Sequence, residues 1–185
     1  LNSEWLLLAY RRGIFPWFND HEPILWWSPA PRTVLFPDDF RINRSLRKFL
    51  NRNPYRISRD QRFREVIEAC SEPRPYQVGS WISSTMIDAY SELFKAGYAH
   101  SYECWDEHNV MVGGLYGIAI GKIFFGESMF SHAPNASKCC LKFLIDSKQY
   151  QLIDCQMETA HLVNMGAKSI PRFQFEKYLL DYITK

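Results

Sequence analysis

Along this 185-residue chain the spacing of apolar positions is helical up to about residue 97 and then alternates between two periods. The opening run SEWLLLAYRRG predicts a helix capped by Asn2 or Ser3 and ended by Gly13. Residues 13–37 carry five prolines and three tryptophans, which break any period. That composition predicts an ordered, aromatic-rich connection, because flexible linkers lack tryptophan. Asn43 is placed to cap a helix whose Leu46, Phe49 and Leu50 face inward, while Arg44, Arg47 and Lys48 share the outer face. A second helix covers RFREVIEAC. After the breaker run SEPRPYQVGS comes a third, with Met86, Ala89, Tyr90, Leu93 and Phe94 at helical spacing and Gly97 at its end.

From Tyr98 the period becomes two. YAHSYECW, VMVGGLYGIAI and KIFFGESMF read as three strands, the last two joined near Gly121-Lys122. A helix from about Ser137 to Ser147, a strand QLIDCQ, a helix stopped by Gly166, a short strand AKSIP and a terminal helix complete the pattern. Helices and strands alternate, so the fold class expected is mixed α/β, built on an antiparallel meander. The length allows one domain, or one domain with a small appendage.

Composition changes this picture little. Hydrophobic content of 46% and charged content of 23% belong to an ordinary globular protein. No apolar run is long enough to span a membrane. Five cysteines, two of them adjacent and none in a C-x-x-C pair, fit neither a disulfide framework nor a zinc site. Reduced thiols in a cytosol and no metal are therefore expected, and the scattered histidines add no ligand spacing.

Charge is more informative. The net value is +2, yet Arg41 to Arg64 holds nine basic residues and one acid, Asp60. The rest of the chain carries 13 basic and 19 acidic residues. Such a segment points to a polyanionic partner; a solvated face is the alternative.

Three places carry candidate chemistry. The window GGLYGIAIGKIFFGESMFS holds five of the nine glycines. It reads either as a curved sheet packed against large aromatics or as the floor of a groove that a ligand approaches closely. Glu127, between Phe125 and Met129-Phe130, is expected to be partly buried and to need a partner. In LIDCQ, Asp154 and Gln156 stand two apart on a strand and are expected side by side on one face. Trp17, Trp26, Trp27 and Trp81 flank turns, where they serve as core or as a stacking surface for a nucleobase. There is no nucleophile elbow, no phosphate-binding glycine loop and no dinucleotide fingerprint.

GIFPW, ILWWSPAPR, W-I-x-x-x-M-x-x-AY, AHSYE-x-W, VGGLYG, FFGESMFS, NASK, LIDCQ, HL-x-x-x-GA and IPR occur in an order that resembles the leucyl/phenylalanyl-tRNA–protein transferase family, from Leu1 to about Arg172. The resemblance implies an acyl-CoA N-acyltransferase-like main domain over 33–185, with a mixed, largely antiparallel sheet. It also implies a small N-terminal domain over 1–32, expected to be truncated because the chain begins inside the family pattern. The implied activity moves leucine or phenylalanine from leucyl-tRNA or phenylalanyl-tRNA to the α-amine of proteins beginning with Arg or Lys, marking them for degradation. No coenzyme A or other cofactor is implied, and the protein is expected to be a cytoplasmic monomer.

Residue by residue, the resemblance places Trp17 and Trp81 against the terminal adenosine of the donor. It gives Leu115, Phe124, Met129 and Leu144 to a slot for the aminoacyl side chain, Leu144 standing where a larger aromatic is expected. Gln156, polarised by Asp154, is expected to hold the incoming α-amine and help remove its proton. Glu127 is expected at the ribose or amino group of the donor. Arg41, Arg44, Arg47, Lys48 and Arg52 are expected to bind tRNA phosphates. Two rival readings are an RNA-binding module without catalysis and a coenzyme A-dependent N-acetyltransferase. Glu127, Asp154 and Gln156 together oppose the first. The glycine-free SHAPNASK, where a pyrophosphate-cradling turn would be needed, opposes the second.

Overall fold

A computed structural model describes residues 1–19, 22–52, 54–73 and 82–183. Helix α1 (Ser3–Tyr10) starts as its cap demands, with Asn2 Oδ1 accepting the Trp5 N–H at 2.9 Å. Strands β1 (Phe15–Pro16) and β2 (Trp26–Trp27) form a small antiparallel pair of their own. Strand β3 (Arg32–Leu35) is followed by α2 (Arg44–Asn51), β4 (Arg56–Arg59), α3 (Phe63–Ser71) and α4 (Ser84–Lys95). Then come β5 (Ala99–Trp105), β6 (Met111–Ile120), β7 (Ile123–Ser131), α5 (Ala136–Asp146) and β8 (Leu152–Gln156). Helix α6 (Ala160–Asn164), β9 (Lys168–Ile170) and α7 (Arg172–Ile183) close the chain.

Among the described residues the main sheet has the order β4-β5-β6-β7-β8-β3-β9. Every neighbouring pair is antiparallel except β7 with β8. This is the mixed, largely antiparallel sheet expected, with β5-β6-β7 as the meander. Strands β3 and β4 are not among the elements that the sequence pattern predicts, and the pattern does not say which pair runs parallel. The charge density of Arg56–Arg59 hides a four-residue edge strand whose Ser58 is buried.

Both faces of the sheet are covered. One carries α1, α3, α4 and α7, whose Leu6, Ile67, Met86, Leu93 and Phe175 pack with Tyr116, Ile118 and Phe125 of the strands. The other carries α5, with Phe49 and Leu50 of α2 against it, over Tyr102, Leu115, Phe124 and Ile153. Burial of each such side chain stabilises by about 1.5–3 kcal/mol. Helix α2 begins at Asn43, whose Oδ1 accepts the Leu46 N–H at 2.8 Å.

The glycine-rich hairpin resolves mostly toward the curved-sheet alternative. A Cβ on Gly117 would lie 2.2 Å from the Phe125 carbonyl oxygen and 2.7 Å from the Phe124 ring. At Gly113 it would meet the Ala136 Cβ at 2.5 Å, and at Gly114 the Phe130 ring at 2.8 Å. These three make room for the protein's own side chains and helix α5. Gly121 turns the hairpin at φ +58 beneath the end of α7. Of the five hairpin glycines, Gly126 alone has room for a Cβ, which would meet the Asp154 carbonyl oxygen at an ordinary 3.5 Å.

Candidate active site

Strands β7 and β8 pair over three positions, ending with Phe125 opposite Asp154. Beyond that point β8 pairs only with β3, and the two strands part. A cavity of about 300 Å³ opens in the gap, lined by Gly126, Glu127, Ser128 and Met129 from β7 and by Ile153, Cys155 and Gln156 from β8. Leu115, Phe124, Leu141 and Leu162 complete an apolar end, and Glu72, Thr159 and His161 also line it. Splayed parallel strands expose backbone and side chains of both, as α/β sheets do where they bind ligands.

Glu127 reaches this place through a bulge. Tyr116 pairs with Ser128 and Gly117 with Gly126, so Glu127 is the extra residue on β7. The bulge also reverses the alternation of the strand. Before it Phe124 packs on the α5 face; after it Met129 does, and Phe130 takes the opposite face. Glu127 is thereby turned toward the Tyr10 and Tyr90 side.

Glu127 as a residue is 9% exposed, and its carboxylate is well bonded. Gln156 donates from Nε2 to Glu127 Oε1 at 2.9 Å, and Tyr90 donates its hydroxyl to Oε2 at 3.2 Å. The hydroxyls of Tyr10 and Tyr90 are bonded to each other. Burial raises the Glu127 pKa to about 7, aided by the Asp154 charge and opposed by the tyrosine hydroxyls and Arg32. Burial, then the Glu127 charge, push both tyrosines well above their ordinary value, so they stay protonated donors. Burial likewise raises the Cys155 thiol, which leaves it neutral and a poor nucleophile.

Asp154 has a different setting. It is fully buried, and its two oxygens meet Arg32 Nε and Nη2 at 2.8 and 2.6 Å. Its contact with Gln156 is at the backbone, Oδ1 accepting the N–H at 3.0 Å. The side-chain amide of Gln156 is engaged by Glu127 instead.

Two family models cover this chain. The leucyl/phenylalanyl-tRNA protein transferase model matches residues 34–180, and the N-terminal domain model of the same family matches residues 1–30. The chain belongs to the leucyl/phenylalanyl-tRNA–protein transferase family. It is thus an aminoacyltransferase. It is 55% identical to the leucyl/phenylalanyl-tRNA–protein transferase of Nitrosomonas eutropha, over 97% of this chain and 77% of that protein. To the enzyme of the same name from Azotobacter vinelandii it is 52% identical, over 99% of this chain and 82% of that one. Among solved structures, a conserved protein of unknown function from Bacteroides thetaiotaomicron superposes with a TM-score of 0.52 at 12% identity. That likeness covers 81% of this chain and 55% of the other, and it concerns the fold alone.

Within this family member the structure brings most of the anticipated site together. Glu127, Gln156, Leu115, Phe124 and Met129 line one cavity. Leu144 does not: it is buried beneath, and Leu141, one helical turn earlier, faces the cavity in its place. Trp17 stands outside the cavity, half-exposed, with its ring 5.9 Å from that of Trp27. Trp81 lies outside the described residues. Arg32, Tyr10 and Tyr90 were missed as site residues. The signals in the sequence for Arg32 are its place at the end of the family motif ILWWSPAPR and its position just before the run TVLF.

The basic segment divides. Arg59 pairs with Asp60, Arg62 with Glu65, and Arg64 with Glu68 and Asp88. Arg41, Arg44, Arg47, Lys48 and Arg52 are exposed on and around α2, with no ion pair among the described residues. Arg56 on β4 likewise has no ion pair among the described residues, so the uncompensated charge is the α2 face together with Arg56 rather than the whole segment. Among the described residues no helix is long and apolar enough to cross a membrane.

Proposed function

We propose that the cavity between β7 and β8 is where an aminoacyl group passes from tRNA to the N-terminal α-amine of a protein. The observation that carries this reading is the bond from Gln156 to a buried carboxylate poised near neutrality, at the head of an apolar cavity. Leu115, Phe124, Met129, Leu141 and Ile153 would hold the leucyl or phenylalanyl side chain. Because Gln156 gives its Nε2 to Glu127, its Oε1 is left to accept a hydrogen bond from the acceptor amine.

The amine nitrogen attacks the ester carbonyl carbon, a C–N bond forms, and the C–O bond to the ribose breaks. Glu127 takes the proton the amine loses and returns it to the departing ribose oxygen. A base with a pKa near the working pH suits that exchange. Asp154 does not suit it, being enclosed and committed to Arg32. About a tenth of an α-amine is already neutral at pH 7, and the ester is an activated donor. Holding the two reactants together, a gain of up to about 7–11 kcal/mol, is therefore the larger part of the work.

The finer assignments follow the family. The donors are leucyl-tRNA and phenylalanyl-tRNA, and the acceptors begin with Arg or Lys. The product is marked for degradation, and the protein acts as a monomer in the cytoplasm. Residues 1–32 form a small N-terminal domain and 33–185 the catalytic one. Trp17 and Trp81 contact the terminal adenosine, and the exposed face of α2 holds tRNA phosphates. The test is incubation with charged leucyl-tRNA and peptides beginning with Arg, Lys, Ser or acetylated Arg. Transfer to the first two alone supports the reading; binding of tRNA with no transfer to any peptide overturns it.

A further inference from the structure

Arg32 is 1% exposed, and its guanidinium is held from several sides. Nε and Nη2 grip both oxygens of Asp154, and Nη1 donates to the Gly13 carbonyl at 3.0 Å. The rings of Phe15 and Phe175 lie 4.9 and 4.7 Å from its carbon Cζ. Four separate parts of the chain therefore meet at one cation: the turn after α1, β1, α7 and β8. A two-pronged contact of this kind sets the plane of the carboxylate as well as its place.

That plane matters for the next residue but one. Asp154 Oδ1 accepts the Gln156 N–H at 3.0 Å, and Gln156 sits at φ +63. Non-glycine residues avoid this left-handed region at some cost, and keep it only where their surroundings over-determine it. With the backbone turned this way, the Gln156 amide meets Glu127. We propose that Arg32 is a positioning residue for aminoacyl transfer: through Asp154 it holds Gln156 in its left-handed conformation and so aims the amide that receives the acceptor amine. The proposal rests on the reading of Gln156 given above. It also ties the segment before β3 to the reaction centre, since Gly13 and Phe15 help to seat Arg32.

A buried ion pair can instead be purely structural, and then an apolar replacement of both partners is commonly neutral or stabilising. This separates the two roles. In the full chain, Arg32→Lys keeps a positive charge and loses the fork, while the double variant Arg32→Met/Asp154→Leu removes both charges. Each is compared with Gln156→Ala by melting temperature, by single-turnover transfer from leucyl-tRNA and by KM for the charged tRNA. Positioning predicts transfer slowed about 10-fold or more in Arg32→Lys, with KM for tRNA changed less than about 3-fold. It predicts a double variant that melts near the parent temperature yet transfers about 100-fold more slowly. A folded double variant that transfers at the parental rate overturns the proposal, as does Arg32→Lys at the parental rate. If Gln156→Ala alone is slow while Arg32→Lys is not, only the clamp falls. If Gln156→Ala is itself fully active, the reading of Gln156 falls with it.

Discussion

Gln156 and Glu127 are joined Nε2 to Oε1 at 2.9 Å across the point where β7 and β8 separate. One arrives by a left-handed backbone turn and the other by a bulge, two local departures from regular strand that only make sense together. The bond leaves the glutamine carbonyl available and places a near-neutral carboxylate beside it. Much of the protein's pH behaviour should follow from this pair.

Glu127 has its folded pKa raised to about 7 from an ordinary carboxylate value of 4.5. The folded state therefore keeps a proton that the unfolded chain releases between those values. Stability falls as pH rises through that window and levels off above 7, a change on the order of 3 kcal/mol. In Glu127→Gln this component is absent. Urea unfolding of both proteins at pH 5 and pH 7.5 measures it, and an equal pH dependence in the two would refute the assignment.

Leu141 and Leu144 are expected to behave differently although both are buried. Leu144→Ala removes core packing and costs about 2–5 kcal/mol, with the ratio of phenylalanyl to leucyl transfer unchanged. Leu141→Ala enlarges the cavity itself. It shifts kcat/KM toward phenylalanine, on the order of 10-fold relative to leucine. Competition between the two charged tRNAs reads this ratio directly.

Much of this arrangement is legible in the sequence. The alternation from Tyr98 onward gave the meander, and Asn43, Gly97 and Gly166 marked ends of helices that exist. The acids and amide of FFGES and LIDCQ stand out as candidates in the residues themselves, and the family resemblance supplies their roles. What stayed hidden depends on distant partners. Arg32 and Asp154 are 122 residues apart, and no local period links them. The bulge at Glu127 inserts one residue and reverses the faces of β7, which a sequence of alternating residues does not reveal. Leu141 and Leu144 both belong to the buried side of α5, and only packing says which of them meets the cavity.

Two glycines of the hairpin make opposite predictions. Gly117→Ala places a methyl 2.2 Å from the Phe125 carbonyl oxygen and is expected to lower the melting temperature by several degrees or prevent folding. Gly126→Ala has room in the fold and is expected to melt near the parent while transferring more slowly, because its methyl enters the cavity. Thermal unfolding and transfer rate of the two variants distinguish them.

On α2, Arg44→Ala and Arg47→Ala are expected to weaken tRNA binding and to reduce the dependence of log K on log salt by about 1 each. Arg64→Ala, whose partner acids already neutralise it, is expected to leave that slope unchanged. Filter binding across a salt series is the measurement.

The most direct test is single-turnover transfer of leucine to a peptide beginning with Arg, with charged tRNA saturating, by the parent, Glu127→Gln and Gln156→Ala. The expected result is a loss of about 100-fold or more in each variant, with charged tRNA still bound as tightly as by the parent. Transfer by both variants within about 3-fold of the parental rate would contradict the placement of the reaction at this pair.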